Sequence, residues 1–415
     1  MQVSIRKIER RIEELARRRY LARQPIGPLR LRPHPSAWQS APLAISDAEQ
    51  RMIAAALGTD APLQTSTAPA IPPEGVLINT GDQWGQRTGR YLLEAEVAIP
   101  PEWRADLVVL HLDLSEPASL WDIATAEGLL SIDGMPLHAL DRYHREVILP
   151  PELAARDRIA LSMDVWNGIT EDHHTLHAAE LRRMHAGADR LHQTMRLLRD
   201  ATAHLPEHAT ARAALLAALD AATLALDFRT DAAFYAACDA ALGVIDDHLR
   251  ALRTDPTDPW QPHVTVTGHA HIDVAWLWRL CHTRLKTANT FATALYHMDR
   301  YPGFIFTAST PQLYQFVKED HPDIYARIQA KVAAGQWEAE GAMWLEADTN
   351  ITGGESLVRQ FIFGKRFFQE EFGVDARVLW LPDVFGYSAA LPQLIKGADA
   401  DYFITTKISW NDTNR

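Results

Sequence analysis

The sequence predicts a multidomain chain of mixed α+β and α/β class: an antiparallel β-sandwich, then a helical bundle, then the first part of a parallel (β/α) barrel. Three observations carry this. Apolar residues recur with a period of two between about residues 74 and 167, an Ala- and Leu-rich stretch of helical period follows, and beyond a Pro-rich linker short apolar strands alternate with helical segments. The implied division is 1–73, an amino-terminal helix and irregular segment; 74–170, the sandwich; 171–255, the bundle; and 262–415, the barrel domain, incomplete at its carboxyl end.

With 415 residues, 47% of them hydrophobic, the chain can bury several cores, and its length suggests two or three domains. The net charge of -12 argues against nucleic acid or an anionic membrane surface as the main partner. Cys238 and Cys281 are the only cysteines, so no disulfide framework is expected and a reducing compartment suits the chain.

Taken in order, the opening residues place Ile5, Ile8, Ile12 and Leu15 at helical spacing among basic residues. This predicts a surface or partner-contacting helix and not an export signal, because no apolar core of signal length follows. No apolar run is long enough to span a bilayer, which leads to the expectation of a soluble, cytoplasmic protein. The Pro-, Ala- and Ser-rich text from about Gln24 to Pro73 reads as loops and short helices.

In the sandwich region Tyr91, Leu93, Ala95, Val97 and Ile99 share one side of a strand, as do Val108, Leu110, Leu112 and Leu114, and Ile159, Leu161, Met163 and Val165. Asp133-Gly134 supplies a tight turn. Trp84, Trp103, Trp121 and Trp166 could stack on sugars, but large aromatics dominate small sandwich cores and the core reading is preferred. Leu181, Met184, Ala188, Leu191, Met195 and Leu198 then mark a helix face, Pro206 breaks it, and two further amphipathic helices run to about Arg253. His173, His174 and His177 read as a solvated helix start, since no Cys or carboxylate sits at ligand spacing. Asp255 to Pro259 forms a stiff linker.

After the linker the pattern reads as strands at 264–268, 304–307, 337–340, 378–381 and 402–405 with helices between them, part of a parallel barrel whose chemistry would sit at the carboxyl ends of its strands. Those exits carry His271 and Asp273, Ser309, Glu346 and Asp348, Asp383, and Lys407. In an extended segment residues two apart point the same way, so His271 and Asp273 share a side and could ligate one metal. Alone, that pair reads equally well as a polar turn at a strand end. A second acid-bearing exit, Asp383 after Val378 to Leu381, suggests a shared pocket.

Four blocks, GHAHIDVAWLW (268–278), GAMWLEADTNITGGESLVRQ (341–360), WLPDVFGYSAALPQ (380–393) and KISWNDTNR (407–415), together resemble the α-mannosidases of glycoside hydrolase family 38, in particular the cytosolic and bacterial branch. The resemblance implies a zinc-dependent retaining glycosidase acting on terminal α-mannosides of mannose-containing oligosaccharides, with one Zn2+ per site. It places zinc ligands on His271, Asp273 and Asp383, makes Asp383 also the catalytic nucleophile, and puts Trp276 and Phe385 against the bound sugar. Asp348 matches an acidic substrate-contacting position. A fourth ligand, a histidine, and a general acid are expected on later strands, beyond Arg415. Neither nucleic acid nor a membrane is an expected partner, and a homo-oligomer is compatible with the resemblance.

Two other classes stay open on the residues themselves. A zinc deacetylase or amidohydrolase also uses His and Asp on a parallel barrel to activate water, but has no use for Trp276 or the P-D-x-F-G loop. A non-catalytic carbohydrate-binding protein would bind glycan on the sandwich and leave the partial barrel inert.

Overall fold

A computed structural model of the protein describes residues 5–35, 46–56, 70–115, 125–169, 171–252 and 264–410. Trp121, the linker from Asp255 to Pro259 and the last residues, Asn411 to Arg415, lie outside them.

The sandwich strands are β1 (Tyr20–Pro25), β2 (Leu29–Pro33), β3 (Val76–Ile78), β4 (Gln83–Trp84), β5 (Arg90–Ala98), β6 (Leu107–Asp113), β7 (Glu127–Ile132), β8 (Met135–Leu140), β9 (Glu146–Ile148), β10 (Arg158–Trp166), β11 (His174–Thr175) and β12 (Ala178–Met184). They pair antiparallel in a four-stranded sheet, β1-β12-β6-β9, a six-stranded sheet, β3-β2-β5-β10-β7-β8, and the short pair β11-β4. The two large sheets share one core, with Leu93, Ile159 and Met163 of one facing Leu110, Leu112 and Leu181 of the other. Asp133 and Gly134, with φ of 51° and 80°, make the turn between β7 and β8 that a two-residue hairpin of this twist requires. Trp84, Trp103 and Trp166 are buried, as core packing demands.

Several expectations change here. Leu29 and Leu31, both fully buried, put a strand inside the stretch read as loops and short helices; the alternation LRLRP is too short and too close to prolines to stand out alone. Leu181 and Met184 lie on a strand and not on a helix face. Their spacing continues into that of the following helix, but β12 fills the place between β1 and β6, and pairing on both edges overrides the local period. His174 is a buried residue of β11 whose ring nitrogen Nε2 lies 2.9 Å from the Asn167 carbonyl, so the histidine trio is not a solvated helix start.

The helices of the amino-terminal two-thirds are α1 (Ile5–Arg18), α2 (Asp47–Ala56), α3 (Pro151–Ala154), α4 (Ala186–His204), α5 (Thr210–Ala225) and α6 (Asp231–Ala251). The opening helix packs against its own chain. Ile8, Ile12 and Leu15 of α1 are buried against Leu191, Leu219, Phe234 and Ile245 of α4, α5 and α6, which makes the bundle four-helical. Burying three such side chains stabilises the packed state by roughly 1.5–3 kcal/mol each. Among the described residues no helix is long and apolar enough to cross a membrane.

The last unit runs β13 (Gly268–His269), α7 (Leu280–Arg300), β14 (Phe306–Ala308), α8 (Pro311–Asp320), α9 (Pro322–Ala333), β15 (Trp337–Ala339), α10 (Gly354–Phe372), β16 (Val378–Trp380), α11 (Leu391–Gly397) and β17 (Tyr402–Ile404). Its strands are parallel, in the sheets β13-β14-β15 and β16-β17, with helices between them. The expected strand at 264–268 is reduced to Gly268 and His269. Val264 and Val266 are 80% and 83% exposed, because β13 has a neighbour on one edge only among the described residues and nothing covers the VTV run.

The two parallel sheets are tied together. Glu340 Oε1 accepts from the Val378 amide at 2.9 Å, and the Trp380 indole donates to His269 Nε2 at 3.2 Å. Beneath the exits an aromatic core includes Phe291, Tyr314, Trp337 and Phe368; Trp337 donates to the Tyr314 hydroxyl at 2.7 Å, which donates to the Ala308 carbonyl at 2.9 Å. These two hydrogen bonds tie β14 and β15 to α8 beneath the exits. Gly364 lets α10 lie directly on the loop after β15: an added Cβ there would stand 2.4 Å from the Ala342 carbonyl oxygen.

Candidate active site

His271 and Asp273 follow β13, Glu346 follows β15, Asp383 follows β16 and Lys407 follows β17, so four strand exits deliver these side chains to one place. Ligand atoms of His271, Asp273 and Asp383 all lie within 4.8 Å of one another. His271 Nε2 is 3.3 Å from Asp273 Oδ1 and 3.4 Å from Asp383 Oδ2, and its Nδ1 is 3.0 Å from Glu346 Oε1. Lys407 Nζ is 2.5 Å from Asp383 Oδ1. Among the described residues no other group of histidine, cysteine and acidic side chains converges in this way.

Charge explains how the site holds together. Both ring nitrogens of His271 face carboxylates, which only accept when ionised, so without a metal the ring is a doubly donating imidazolium. Burial would lower its pKa, but hydrogen bonds to Asp273 and Glu346 outweigh that and raise it to about 10. Once the His271 proton is displaced, the carboxylates of Asp273, Glu346 and Asp383 against the Lys407 ammonium leave a surplus of negative charge that a divalent cation would neutralise. An imidazole nitrogen with carboxylate oxygens is a donor set that suits zinc, and among the described residues the buried Glu346 Oε2 has no hydrogen-bond partner, so Glu346 keeps acceptor capacity beside the cluster. His271, Asp273 and Asp383 therefore fit the metal that the sequence blocks imply.

His269 holds the floor of the site. Its Nδ1 donates to the Thr307 carbonyl at 2.9 Å while Nε2 accepts from Trp380, an arrangement that only the neutral ring allows. Burial lowers its pKa in the same sense. The sequence reading passed over His269 and gave Glu346 no role. Both had a signal: His269 precedes His271 by the same two-residue step that joins His271 to Asp273, and Glu346 precedes Asp348 by two.

The remaining expected residues fall around the cluster. Trp276 is 44% and Phe385 77% exposed, and the Lys407 ammonium lies 4.7 Å from the Phe385 ring centre. Asp348 is exposed, with Oδ1 accepting from the amides of Asn350 and Ile351 at 2.9 and 2.8 Å, a turn that shapes its own loop outside the three-residue cluster. Ser309 is buried. Gly386 admits the 348–351 loop: an added Cβ would meet Asn350 Nδ2 at 2.1 Å, and Thr349 Oγ1 donates to the Gly386 carbonyl at 2.9 Å.

The sequence from 261 to 415, which carries every residue of this cluster, matches the profile of the glycosyl hydrolases family 38 N-terminal domain. Residues 261–415 are similar to that domain. Over 155 residues the chain is 48% identical to alpha-mannosidase G of Dictyostelium discoideum, covering 37% of this chain and 14% of that protein. It is 45% identical over 148 residues to the alpha-mannosidase of Saccharomyces cerevisiae, covering 35% and 14%, and 46% identical over 154 residues to human alpha-mannosidase 2C1, covering 37% and 15%. These matches thus span about one-seventh of each relative. Among solved structures, the 4-alpha-glucanotransferase of Thermococcus litoralis aligns over 33% of this chain and 21% of its own at 18% identity, with a TM-score of 0.27 that supports no argument.

Proposed function

We propose that residues 264–410 hold the metal- and sugar-binding part of a zinc-dependent retaining α-mannosidase acting on mannose-containing oligosaccharides, with Asp383 as nucleophile. The observation that carries this is the convergence of His271, Asp273 and Asp383 from two strand exits of a family 38 unit. In this reading the two parallel sheets are segments of one (β/α) barrel, and the protein works in the cytoplasm.

His271, Asp273 and Asp383 would hold the ion; when bound, zinc supplies Lewis-acid attraction for the hydroxyls of a sugar. The exposed rings of Trp276 and Phe385 offer apolar faces on which a pyranose can stack. Asp383 differs from Asp273 in what surrounds it. Asp273 is paired with its neighbour two residues back, whereas Asp383 stands between Lys407 and His271, one oxygen towards each.

In the reaction an Asp383 oxygen attacks the anomeric carbon, the glycosidic C–O bond breaks, and the departing oxygen takes a proton from an acid. Water then cleaves the glycosyl ester with net retention. Lys407 orients the attacking carboxylate through both steps. A deacetylase has no need of the Trp276 and Phe385 rings, and the buried sandwich tryptophans Trp84, Trp103 and Trp166 offer no glycan platform.

The full-length protein tests this with an aryl α-mannoside. Release of the aryl group that stops on chelation, returns with Zn2+ and proceeds with retention is the expected result. A fluorosugar should then label one peptide, the one containing Asp383; label elsewhere, or inversion, rejects the proposal.

A further inference from the structure

The sandwich reaches the loop that carries His271, Asp273 and Trp276 at the end of β10. Trp166, the last residue of β10, is buried and packs with Ile169 against Leu277, Trp278 and Leu285. The Trp278 indole N–H is shared between the Asp273 carbonyl and Thr283 Oγ1, each at 3.2 Å. Thr283, fully buried, donates to the Val274 carbonyl at 2.7 Å. The two carbonyls that set the direction of the Asp273 backbone are thus held by Trp278 and by the first turn of α7.

Trp278 is in turn held from the sandwich side. Lys286 of α7 places its ammonium 4.7 Å from the Trp278 ring centre and 5.6 Å from that of Trp166. It forms an ion pair with Glu127, the first residue of β7, and Asn289 donates to the other Glu127 oxygen at 3.3 Å. Both charged side chains are shielded, 15% and 13% exposed, so the pair and the cation–π contacts are screened little by water.

We propose that the amino-terminal sandwich positions the metal-binding loop. Glu127 fixes Lys286, Lys286 and Trp166 fix the Trp278 indole, and Trp278 fixes the Asp273 backbone, so that Asp273 meets His271 and Asp383. Glu127, Trp166, Lys286 and Trp278 are positioning residues: Trp278 acts on Asp273 through its backbone carbonyl, and Glu127, Lys286 and Trp166 act through Trp278. The geometry stands independently; its consequence for zinc rests on the function proposed above.

The test uses the whole chain with Glu127→Gln, Lys286→Met, Lys286→Arg and Trp278→Phe, the last keeping a ring but losing the N–H. The first readout is hydrogen exchange of amides 270–278 without metal. Glu127→Gln, Lys286→Met and Trp278→Phe should each raise exchange there on the order of tenfold, the weight of one buried hydrogen bond. Lys286→Arg, which keeps the cation over the rings, should stay near the parent. The second readout is Zn2+ affinity by competition with a chromophoric chelator, which should fall about tenfold or more in the same three variants. Unchanged exchange at 270–278, or a rise spread over the sandwich with a lowered melting temperature, overturns the proposal. Raised loop exchange in these three variants, in a protein whose parent binds no Zn2+, supports the positioning role and counts against the metal reading alone.

Discussion

His271 donates from Nδ1 to Glu346 Oε1 at 3.0 Å, while its Nε2 faces Asp273 and Asp383. Glu346 thereby decides which nitrogen is offered to a metal, as a carboxylate behind a ligand histidine does generally. Glu346→Ala should lower Zn2+ affinity roughly 10- to 100-fold, and Glu346→Gln, whose amide oxygen still accepts, by less. Equal affinity for parent and Glu346→Ala in a chelator competition would remove Glu346 from this role.

The His271 proton and a metal compete for the same nitrogen. With a pKa raised to about 10, above the ordinary 6.5, metal-free His271 stays charged at neutral pH, and its stabilising pairing is fully present below pH 6.5 and lost as pH rises through about 10. Zn2+ must displace that proton, so affinity should rise about tenfold per pH unit between pH 7 and 9. Titration of the bound state at several pH values measures the slope; a flat profile would contradict the charged ring.

Asp383 and Asp273 should separate by phenotype. In the full-length protein Asp383→Ala is expected to abolish turnover while leaving much of the zinc bound, and Asp273→Ala to lose activity chiefly by losing zinc. Metal content by atomic spectroscopy alongside kcat distinguishes them. Equal zinc loss in both would mean that the two carboxylates do the same work.

His138 makes the contact between β8 and α7 sensitive to acid. It is 2% exposed, lies against Tyr296 and His297 and near His144, and burial lowers its pKa to about 3. Because the folded value lies below the unfolded one, its neutral form costs nothing above pH 6.5, and stability is lost as pH falls from there towards 3, by about 1.4 kcal/mol per pH unit. The nearby Asp141, His144 and His297 titrate in the same contact, so the comparison is between parent and His138→Leu. Denaturant melts at pH 7, 6 and 5 should show a shallower loss in the variant.

Leu15, at 0% exposure, is the deepest contact of α1 with the bundle. Leu15→Ala should cost about 2–5 kcal/mol, the range for a large-to-small change in a packed core, read from chemical denaturation. Stability equal to the parent would show that α1 is not part of the bundle.

What the sequence determined by itself was local and periodic. The step of two in Leu93 to Val97 and in Ile159 to Val165 predicts strands with one buried face, and Asp133-Gly134 predicts its own turn, because side-chain alternation and left-handed φ are properties of a few adjacent residues. The pairing of His271 with Asp273 was legible for the same reason. Only the tertiary structure decided what lies far apart in the chain. It made Leu181 a strand residue by giving it neighbours on both edges, turned the first helix inward, left Val264 and Val266 uncovered, and brought Glu346 behind His271, Lys407 against Asp383 and Glu127 towards Trp278. Such contacts depend on which surfaces the fold presses together, and hydrogen bonds and ion pairs between strand exits leave no period in a sequence from which they could be read.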